Sequence, residues 1–323
     1  MKKMLFIYNP HSGKGQIKFH LFNIIDTFTR EGYEVTVRPT QAKLDAFQTV
    51  VSRGDDFDVI VTSGGDGTLN ETIKGIMQLN KQIPLGYLPA GTMNDFATSL
   101  GIPKNMPEAA MKIVKGEVAD VDIGAFNDEF FTYVAGFGAF TEVSYETPQP
   151  MKNMFGSLAY IVEGMNLKRL SNTKSYCVKI TYDGNVIEDD FIYGMVCNSN
   201  SVGGIKGLSG KDVLLNDGVF EGLFIKMPKN IADFQSTVNA LLARDMNSEY
   251  LYWFKAADVE FSSEDDIPWT IDGEFGGNHR SGIISNKCRA VRIFTSPDSK
   301  MLGGTNDVET YDNEELSYLD PTD

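Results

Sequence analysis

The chain has 323 residues, 42% of them hydrophobic and 23% charged, a composition typical of a globular protein of about two domains. Its formal net charge of −15 argues against nucleic acid as a partner, because phosphate binding requires a basic face. The three cysteines are scattered, and no apolar run reaches the ~18–20 residues of a membrane span. These features predict a cytoplasmic, reduced protein with no disulfide framework.

Strands and amphipathic helices alternate through the first third of the sequence. The predicted strands are 3–10, 33–40, 57–63 and 83–91, and the predicted helices are 15–32, 43–53, 68–79, 93–101 and 107–116. In the first helix, apolar residues recur at the spacing of one helical face, and Gly32 closes it. This alternation predicts a doubly wound parallel α/β domain over residues 1–125.

Short strands separated by turn signals replace this alternation from about residue 120 onward. The sequence YDGN at 182–185 indicates a hairpin turn between two of them. We predict a mainly antiparallel β-sandwich domain over 126–297, with the active-site cleft between the two domains, and a segment near 290–305 that completes the first domain. The predicted helices of this half are 152–168 and 230–244.

The last residues, 305–323, form an acidic tail. They contain seven acidic residues and no basic residue, which leaves a net charge of −8 on the rest of the chain. Such a segment cannot bury enough apolar surface to order itself, so we predict that it is disordered.

Three glycines surround Asp66 in the stretch TSGGDGTLNE, at 62–71, directly after a predicted strand. The loops NPHSGKG at 9–15, Pro39–Thr40 and PAGTMND at 89–95 follow the other three strands, and the carboxyl ends of parallel strands share one sheet edge. Glycines there let backbone N–H groups approach a polyanion, and the helix N-terminus adds a favourable dipole. We therefore predict a phosphate-binding site of unusual design, since GxxxxGKS/T is absent and GxGxxG does not follow the first strand.

Taken together, these motifs resemble the catalytic-domain family of diacylglycerol kinases and related lipid kinases, the soluble bacterial enzymes above all. The resemblance spans roughly residues 3–297. It is carried by GGDGTLNE, NPHSGKG and PAGTMNDFA, with VDIG at 121–124, VSYETP at 143–148, LNDGVFEGLFI at 215–225 and IDGEF at 271–275. It implies a kinase that uses ATP and Mg²⁺ to phosphorylate the free hydroxyl of diacylglycerol, giving phosphatidic acid.

The resemblance also implies which residues form the ATP site. They are Asn9, Ser12, Gly13, Lys14, Thr40, Gly64, Gly65, Asp66, Gly67, Thr68, Leu69, Asn70 and Thr92. Asp66 has two candidate roles, bracing the turn through backbone N–H groups or joining a magnesium–water network near the phosphates. We favour the second, because a carboxylate beside a polyphosphate is repelled unless a cation lies between them. The resemblance extends this network to Asp95 and Asp122.

Two carboxylates in the segment WTIDGEFGG, Asp272 and Glu274, are the candidates for the catalytic base. Along an extended strand, alternation would place both on one face, whereas Asp-Gly alone more commonly indicates a β-turn. The resemblance implies that this segment carries the base. Asp272 is our first choice, helped or replaced by Glu274.

The resemblance further implies a structural magnesium at the segment LLNDGVF, which by itself indicates a hairpin turn. Its ligands would be Asp217 and the backbone carbonyls of Leu214 and Val219. Asn216 stands where the family frequently has a second aspartate. Because Mg²⁺ keeps several waters, one aspartate suffices for such a site.

The acceptor lipid has no readable signature in the sequence. An apolar stripe at 151–165, followed by Lys168 and Arg169, has the pattern of a helix that docks on a bilayer, although such stripes more often face a core. We expect diacylglycerol at the inner face of the membrane as the acceptor. The resemblance also allows for a homodimer.

Three other functions fit parts of the pattern. A kinase of another hydroxyl lipid, such as a sphingoid base or ceramide, would share the whole machinery. An NAD kinase would not carry GTMNDFA, and a non-catalytic nucleotide-binding regulator would have no need of both carboxylates of IDGEF. The sequence therefore favours a lipid kinase.

Overall fold

The computed structural model describes residues 1–92, 94–138, 174–199, 201–202, 205–206, 213–243, 245–295 and 302. The VSYETP motif, the apolar stripe at 151–165, the predicted helix at 152–168 and the acidic tail lie outside the described residues. No helix within the described ranges is long and apolar enough to cross a membrane.

Four parallel strands form the N-terminal part of the fold. They are β1 (Lys2–Tyr8), β2 (Tyr33–Pro39), β3 (Val59–Gly64) and β4 (Leu85–Pro89). Their order is β2-β1-β3-β4, and all three pairings are parallel, as predicted. Every residue of β3 and β4 is buried, as expected of central strands in a sheet covered on both faces.

Helices connect these strands. They are α1 (Ile17–Arg30), α2 (Asp45–Arg53), α3 (Asp66–Ile76), α4 (Asp95–Ser99) and α5 (Met106–Lys115), with short 3-10 turns at Ser12–Gly15 and Gly54–Asp56. In α1, Ile17, Ile24 and Phe28 are buried at helical spacing. α1 packs on α5 and α2 packs on α3, the pairing that right-handed connections produce when helices cover both sheet faces.

The C-terminal part is mainly strand. Its strands are β5 (Glu117–Phe126), β6 (Glu129–Phe131), β7 (Val134–Gly138), β8 (Tyr176–Tyr182), β9 (Asn185–Cys197), β10 (Ser201–Val202), β11 (Ile205–Lys206), β12 (Phe220–Lys226), β13 (Leu251–Ala256), β14 (Asp258–Ile271) and β15 (Glu274–Thr295), with one helix, α6 (Ile231–Ala243). All described pairings among these strands are antiparallel, as predicted. Asp183 and Gly184 form the predicted hairpin turn, both with positive φ.

One feature of this part differs from the sequence prediction. The sequence predicts short strands throughout, but β14 and β15 are long, with 14 and 22 residues. The register of β14 against β15 shifts between Ser262 and Ile267, and the register of β15 against β5 shifts between Lys287 and Val291. Such irregularities interrupt the two-residue alternation, so one long strand has the sequence pattern of several short ones.

Two apolar clusters form the core. One spans both parts of the chain and includes Phe6, Leu69 and Met195. The other contains only residues from 126 onward, with Trp269 among its aromatic side chains. At the end of β15, Ile293 pairs in parallel with Leu85, so the chain returns to the N-terminal sheet. The domain boundary at residue 125 and the facing layers of a sandwich stay predictions.

Candidate active site

The loops after β1, β3 and β4 meet at the carboxyl edge of the parallel sheet. A Cβ built on Gly13 would lie 1.9 Å from the carbonyl oxygen of Ala90, and one built on Gly91 would lie 2.6 Å from the Cα of Gly65. Only residues without a Cβ allow these backbones to approach so closely. The structure thus brings together three of the loops that the sequence places at one edge.

Hydrogen bonds hold the first of these loops against the glycine turn. The backbone N–H of Asn9 donates to the Ser63 carbonyl at 2.8 Å, and the Asn9 side-chain amide donates to the Thr68 hydroxyl at 3.3 Å. The Thr40 N–H donates to the Tyr8 carbonyl at 2.9 Å, so the end of β2 lies beside them. These contacts gather residues from three loops of the predicted ATP site.

The turn itself ends in the amino terminus of α3. Gly65 precedes the helix in extended conformation, and Gly67 is exposed. The first N–H groups of a helix have no intrahelical partner, so they are available to an anion. Among the predicted ATP-site residues, Leu69 has its side chain in the core, and its N–H donates to the Gly65 carbonyl. Neither group of Leu69 therefore faces the site.

Asp66 begins α3 with its carboxylate facing the next loop. Its Oδ2 accepts a hydrogen bond from the Asn94 N–H at 3.0 Å, whereas Oδ1 is buried and accepts none from the described residues. Burial and the nearby Asp95 raise the pKa of Asp66 to about 6. A buried acceptor without a donor, beside a second carboxylate, suits a cation or its bound water, so these residues fit magnesium.

Asn94 was not among the predicted site residues. It has φ of 54°, a left-handed conformation that asparagine tolerates better than most residues. Its Oδ1 accepts from the Gly91 N–H at 2.9 Å and its Nδ2 donates to the Gly91 carbonyl at 2.8 Å. Asn94 therefore shapes the PAGTMND loop and presents its own N–H to Asp66. Its position in a tight turn between a strand and a helix was the available signal.

The carboxylate of Asp272 is buried, and both of its oxygens accept hydrogen bonds. Thr132 donates to Oδ2 from its N–H at 2.6 Å and its hydroxyl at 2.7 Å. The N–H groups of Tyr133 and Val134 donate to Oδ1 at 3.0 and 3.1 Å, and the Asn70 side-chain amide donates to Oδ2. Burial raises the pKa of Asp272, and the hydrogen bonds from Thr132–Val134 oppose that rise. The carboxylate ties three segments of the site together.

The prediction that Asp272 and Glu274 lie on one face of an extended strand is wrong. Ile271 pairs with Glu274, so Asp272 and Gly273 form the two-residue turn of the β14–β15 hairpin. Both have positive φ, 48° and 82°, as such turns require. The local β-turn interpretation of Asp-Gly is therefore correct, and the two carboxylates have different surroundings.

Glu274 is exposed beside the glycine turn. Its Oε1 lies 3.8 Å from the position that a Cβ on Gly67 would occupy, and its Oε2 lies 2.7 Å from Nζ of Lys43. Lys43 belongs to the loop after β2, which is fixed to α3 because the Leu44 N–H donates to a Glu71 carboxylate oxygen at 2.8 Å. Sequence analysis did not select Lys43, although its loop follows a strand that ends at the same edge.

The predicted acidic network divides into two groups. Asp95 and Asp272 both act on the pKa of Asp66, so these three carboxylates lie near each other. Asp122 instead accepts from the backbone N–H groups of Gly218 and Arg289, each at 2.7 Å. Burial raises the pKa of Asp122. It holds the turn that contains the predicted metal ligand Asp217.

The ammonium group of Lys255 lies beside that turn. Nζ of Lys255 lies 3.7 Å from Oδ2 of Asp217 and 3.1 Å from Oε1 of Glu221, and the Val219 N–H donates to Asp217 Oδ1 at 3.3 Å. The ammonium group disfavours a divalent ion here. The structural magnesium at Asp217, Leu214 and Val219 stays a prediction.

Comparison with known proteins identifies the family of this chain. Residues 3–126 match the family model described as diacylglycerol kinase catalytic domain. The chain is 36% identical over 280 residues to a diacylglycerol kinase of Bacillus subtilis (strain 168), covering 86% of this chain and 91% of that protein. It is 33% identical over 300 residues to a diacylglycerol kinase of Staphylococcus aureus (strain MRSA252), covering 92% and 93%.

Solved structures give the same result. A crystal structure of a diacylglycerol kinase from Bacillus anthracis str. Sterne matches with a TM-score of 0.73 at 26% identity, covering 92% of this chain and 97% of that one. The relatives are matched along nearly their whole length and share the fold. The chain therefore belongs to the diacylglycerol kinase family and is a phosphotransferase that uses an alcohol as acceptor.

Proposed function

We propose that this chain transfers the γ-phosphate of ATP, with Mg²⁺, to the free hydroxyl of diacylglycerol and so forms phosphatidic acid. The observation that carries the proposal is the placement of an exposed carboxylate, Glu274, beside a glycine turn that opens onto a helix N-terminus. Phosphoryl transfer needs this combination of a phosphate cradle and a proton acceptor. The names of the relatives support diacylglycerol as the acceptor.

The cradle would be built from the three converging loops. Glycines 13, 65 and 91 keep the backbones close, and the N–H groups at the start of α3 would bind the phosphates. Thr40, Thr68 and the Asn9 amide would supply polar groups around them. The acceptor would approach across the cleft between the α/β and β-rich parts.

Magnesium would be held, through water, by Asp66 with Asp95 beside it. The buried and unmatched Oδ1 of Asp66 supports this role over simple bracing of the turn. Bound Mg²⁺ would neutralise the charge that develops on the transferring phosphate. Asp122 lies with Asp217 and Gly218, so we assign it to holding that turn.

Glu274, and not Asp272, would be the base. A general base needs a free lone pair directed at the proton that it accepts. Oδ2 of Asp272 already accepts three hydrogen bonds and Oδ1 accepts two, whereas Glu274 is exposed with a single lysine partner. Asp272 would act as a positioning residue that fixes the hairpin turn leading to Glu274.

Lys43 would position the base. We expect Lys43→Met to lower kcat by about tenfold, because Glu274 would lose the contact that directs its carboxylate, with KM for diacylglycerol nearly unchanged. Lys43 is largely exposed, so the ion pair contributes at most about 1 kcal/mol and the melting temperature should not fall. Steady-state kinetics would show whether Lys43→Arg recovers part of the rate. A wild-type kcat in Lys43→Met would remove Lys43 from the site.

The role of Asp66 can be tested through the metal. In Asp66→Asn, the Mg²⁺ concentration that gives half-maximal activity should rise by about tenfold or more, because a neutral amide attracts the cation less strongly. The measurement is activity against Mg²⁺ at fixed ATP. Asp120→Asn is the control, since Asp120 pairs with Arg292 on the surface. Equal magnesium dependence in wild type and Asp66→Asn would contradict the assignment.

The identity of the acceptor needs its own experiment. Transfer from γ-labelled ATP would be compared for diacylglycerol, a sphingoid base, ceramide and NAD under identical conditions. We expect label in phosphatidic acid alone. Label in a sphingoid base or ceramide would keep the mechanism but change the substrate.

Because diacylglycerol resides in bilayers, we also propose a cytoplasmic enzyme that binds peripherally to the inner membrane face. The homodimer stays a prediction.

A further inference from the structure

Two phenylalanines of α1 project into solvent on one helix face. Phe19 is 72% exposed and Phe22 is 79% exposed, more than any other large apolar residue of the described ranges except Met1. They are three residues apart, a spacing that places both side chains on the same face. Folded proteins expose single apolar residues routinely, but two nearly free phenyl rings side by side mark an interaction surface.

Two lysines, Lys14 and Lys18, precede these rings in a chain whose net charge is −15. The first acidic residue of α1, Asp26, lies one turn after Phe22 and pairs with Arg30 at 3.0 Å. Nζ of Lys18 lies 4.8 Å from the centroid of the Phe19 ring. Lys14 is exposed one turn before the helix. An apolar ring with an ammonium group over its face matches the boundary between acyl chains and anionic headgroups.

The position of α1 connects this face to the site. The helix begins at Ile17, directly after the loop that packs against Ala90 and the glycine turn. Phe19 is therefore near the end of the molecule where phosphate would bind. The opposite face, with Ile17, Ile24 and Phe28, is buried in the core. The exposed rings thus contribute little to folding and remain available to a partner.

We propose that Phe19 and Phe22, with Lys18, form an anchor that inserts into a bilayer containing anionic lipid and holds the active site against the membrane. This proposal rests on the proposed function, since it explains how the active site reaches an acceptor that resides in a bilayer. The anchor differs from the stripe at 151–165, which lies outside the described residues.

A second copy of the chain is a poorer occupant of this face. In a symmetric dimer the four phenylalanines would together bury roughly 600–1,000 Å², still below the about 1,200 Å² of a stable protein interface. In a symmetric dimer centred on this face, Lys18 and Lys14 of both copies would also approach each other. A bilayer removes both objections, because its apolar interior is continuous and its headgroups carry the complementary charge.

The test compares a double variant, Phe19→Ser with Phe22→Ser, with a matched control, Val186→Ser with Ile231→Ser. The control residues are exposed apolar side chains elsewhere on the surface. Binding is measured by co-sedimentation with vesicles containing phosphatidylglycerol. We expect the double variant to bind about tenfold or more weakly, with unchanged melting temperature, while the control binds like wild type. Equal binding by all three proteins would overturn the proposal.

Two further measurements separate the anchor from the catalytic assignment. The double variant should phosphorylate a short-chain, water-soluble diacylglycerol at the wild-type rate but lose activity on vesicles. If wild type phosphorylates no diacylglycerol yet binds vesicles through Phe19 and Phe22, the proposed function fails and the anchor stands. A wild-type dimer that dissociates in the double variant without loss of vesicle binding would overturn the anchor. In Phe22→Trp, brominated acyl chains should quench the added fluorescence, and no quenching beyond wild type would contradict insertion.

Discussion

Replacement of Glu274 by glutamine should reduce kcat by about 10²–10⁴-fold, the range that general base catalysis contributes. The amide keeps the shape of the side chain but cannot accept a proton from the acceptor hydroxyl. Glu274 is exposed and, among the described residues, its side chain pairs with Lys43, so the folded state should lose little stability. The measurement is kcat for lipid phosphorylation, together with the melting temperature and the affinity for ATP.

Glu129→Gln is the matched control for this variant. Glu129 is also an exposed glutamate paired with a lysine, its carboxylate lying 3.5 Å from Lys74, but it is not beside the glycine turn. Its activity should remain that of wild type. If Glu274→Gln also retained wild-type kcat, the base would have to be another group.

Replacement of Asp272 by alanine should lower the free energy of unfolding by about 3–5 kcal/mol. The substitution leaves the donors of Thr132, Tyr133, Val134 and Asn70 without their acceptor in a buried position. Each buried donor left unsatisfied costs about 1–3 kcal/mol before the structure relaxes. Such a loss corresponds to a melting temperature lower by roughly 10 °C or more.

Asp266→Ala provides the reference for a surface aspartate. Asp266 pairs with Arg280 at 3.0 Å, and both side chains are exposed, so its removal should change stability far less than the removal of Asp272. Urea denaturation of the three proteins would measure the difference. Wild-type stability in Asp272→Ala, combined with complete loss of transfer, would identify Asp272 as a catalytic group and contradict its assignment as a structural link.

Much of the N-terminal part could be predicted from sequence, for identifiable reasons. Its strands are buried on both faces and its helices carry regular apolar spacing, so local pattern and tertiary environment agree. The role of Gly64, Gly65 and Gly67 could be predicted, because several glycines together after a strand indicate a turn that allows another group to come close to the backbone. Gly13 was already assigned to the ATP site, but its close approach to Ala90, and that of Gly91 to Gly65, became visible only in the structure.

The surroundings of the two carboxylates of IDGEF, Asp272 and Glu274, could not be predicted from the sequence. Side chains alternate between the two faces of a strand only where the backbone is extended. Asp272 has a positive φ, so its backbone is not extended and the alternation does not apply. The donors that enclose Asp272 come from residues 132–134 and from Asn70, all distant in sequence. Lys43 reaches Glu274 from 231 residues away. Such partners depend on long-range pairing, which no local pattern contains.

The most direct test of the central claim is magnesium-dependent transfer of labelled γ-phosphate from ATP to diacylglycerol in mixed micelles. Wild type, Glu274→Gln and Glu129→Gln would be assayed together, with and without a chelator. We predict label in phosphatidic acid for wild type and Glu129→Gln, and its loss in Glu274→Gln and in chelator. Equal labelling by wild type and Glu274→Gln, or no transfer to diacylglycerol by a folded wild-type protein that binds ATP, would contradict the assignment.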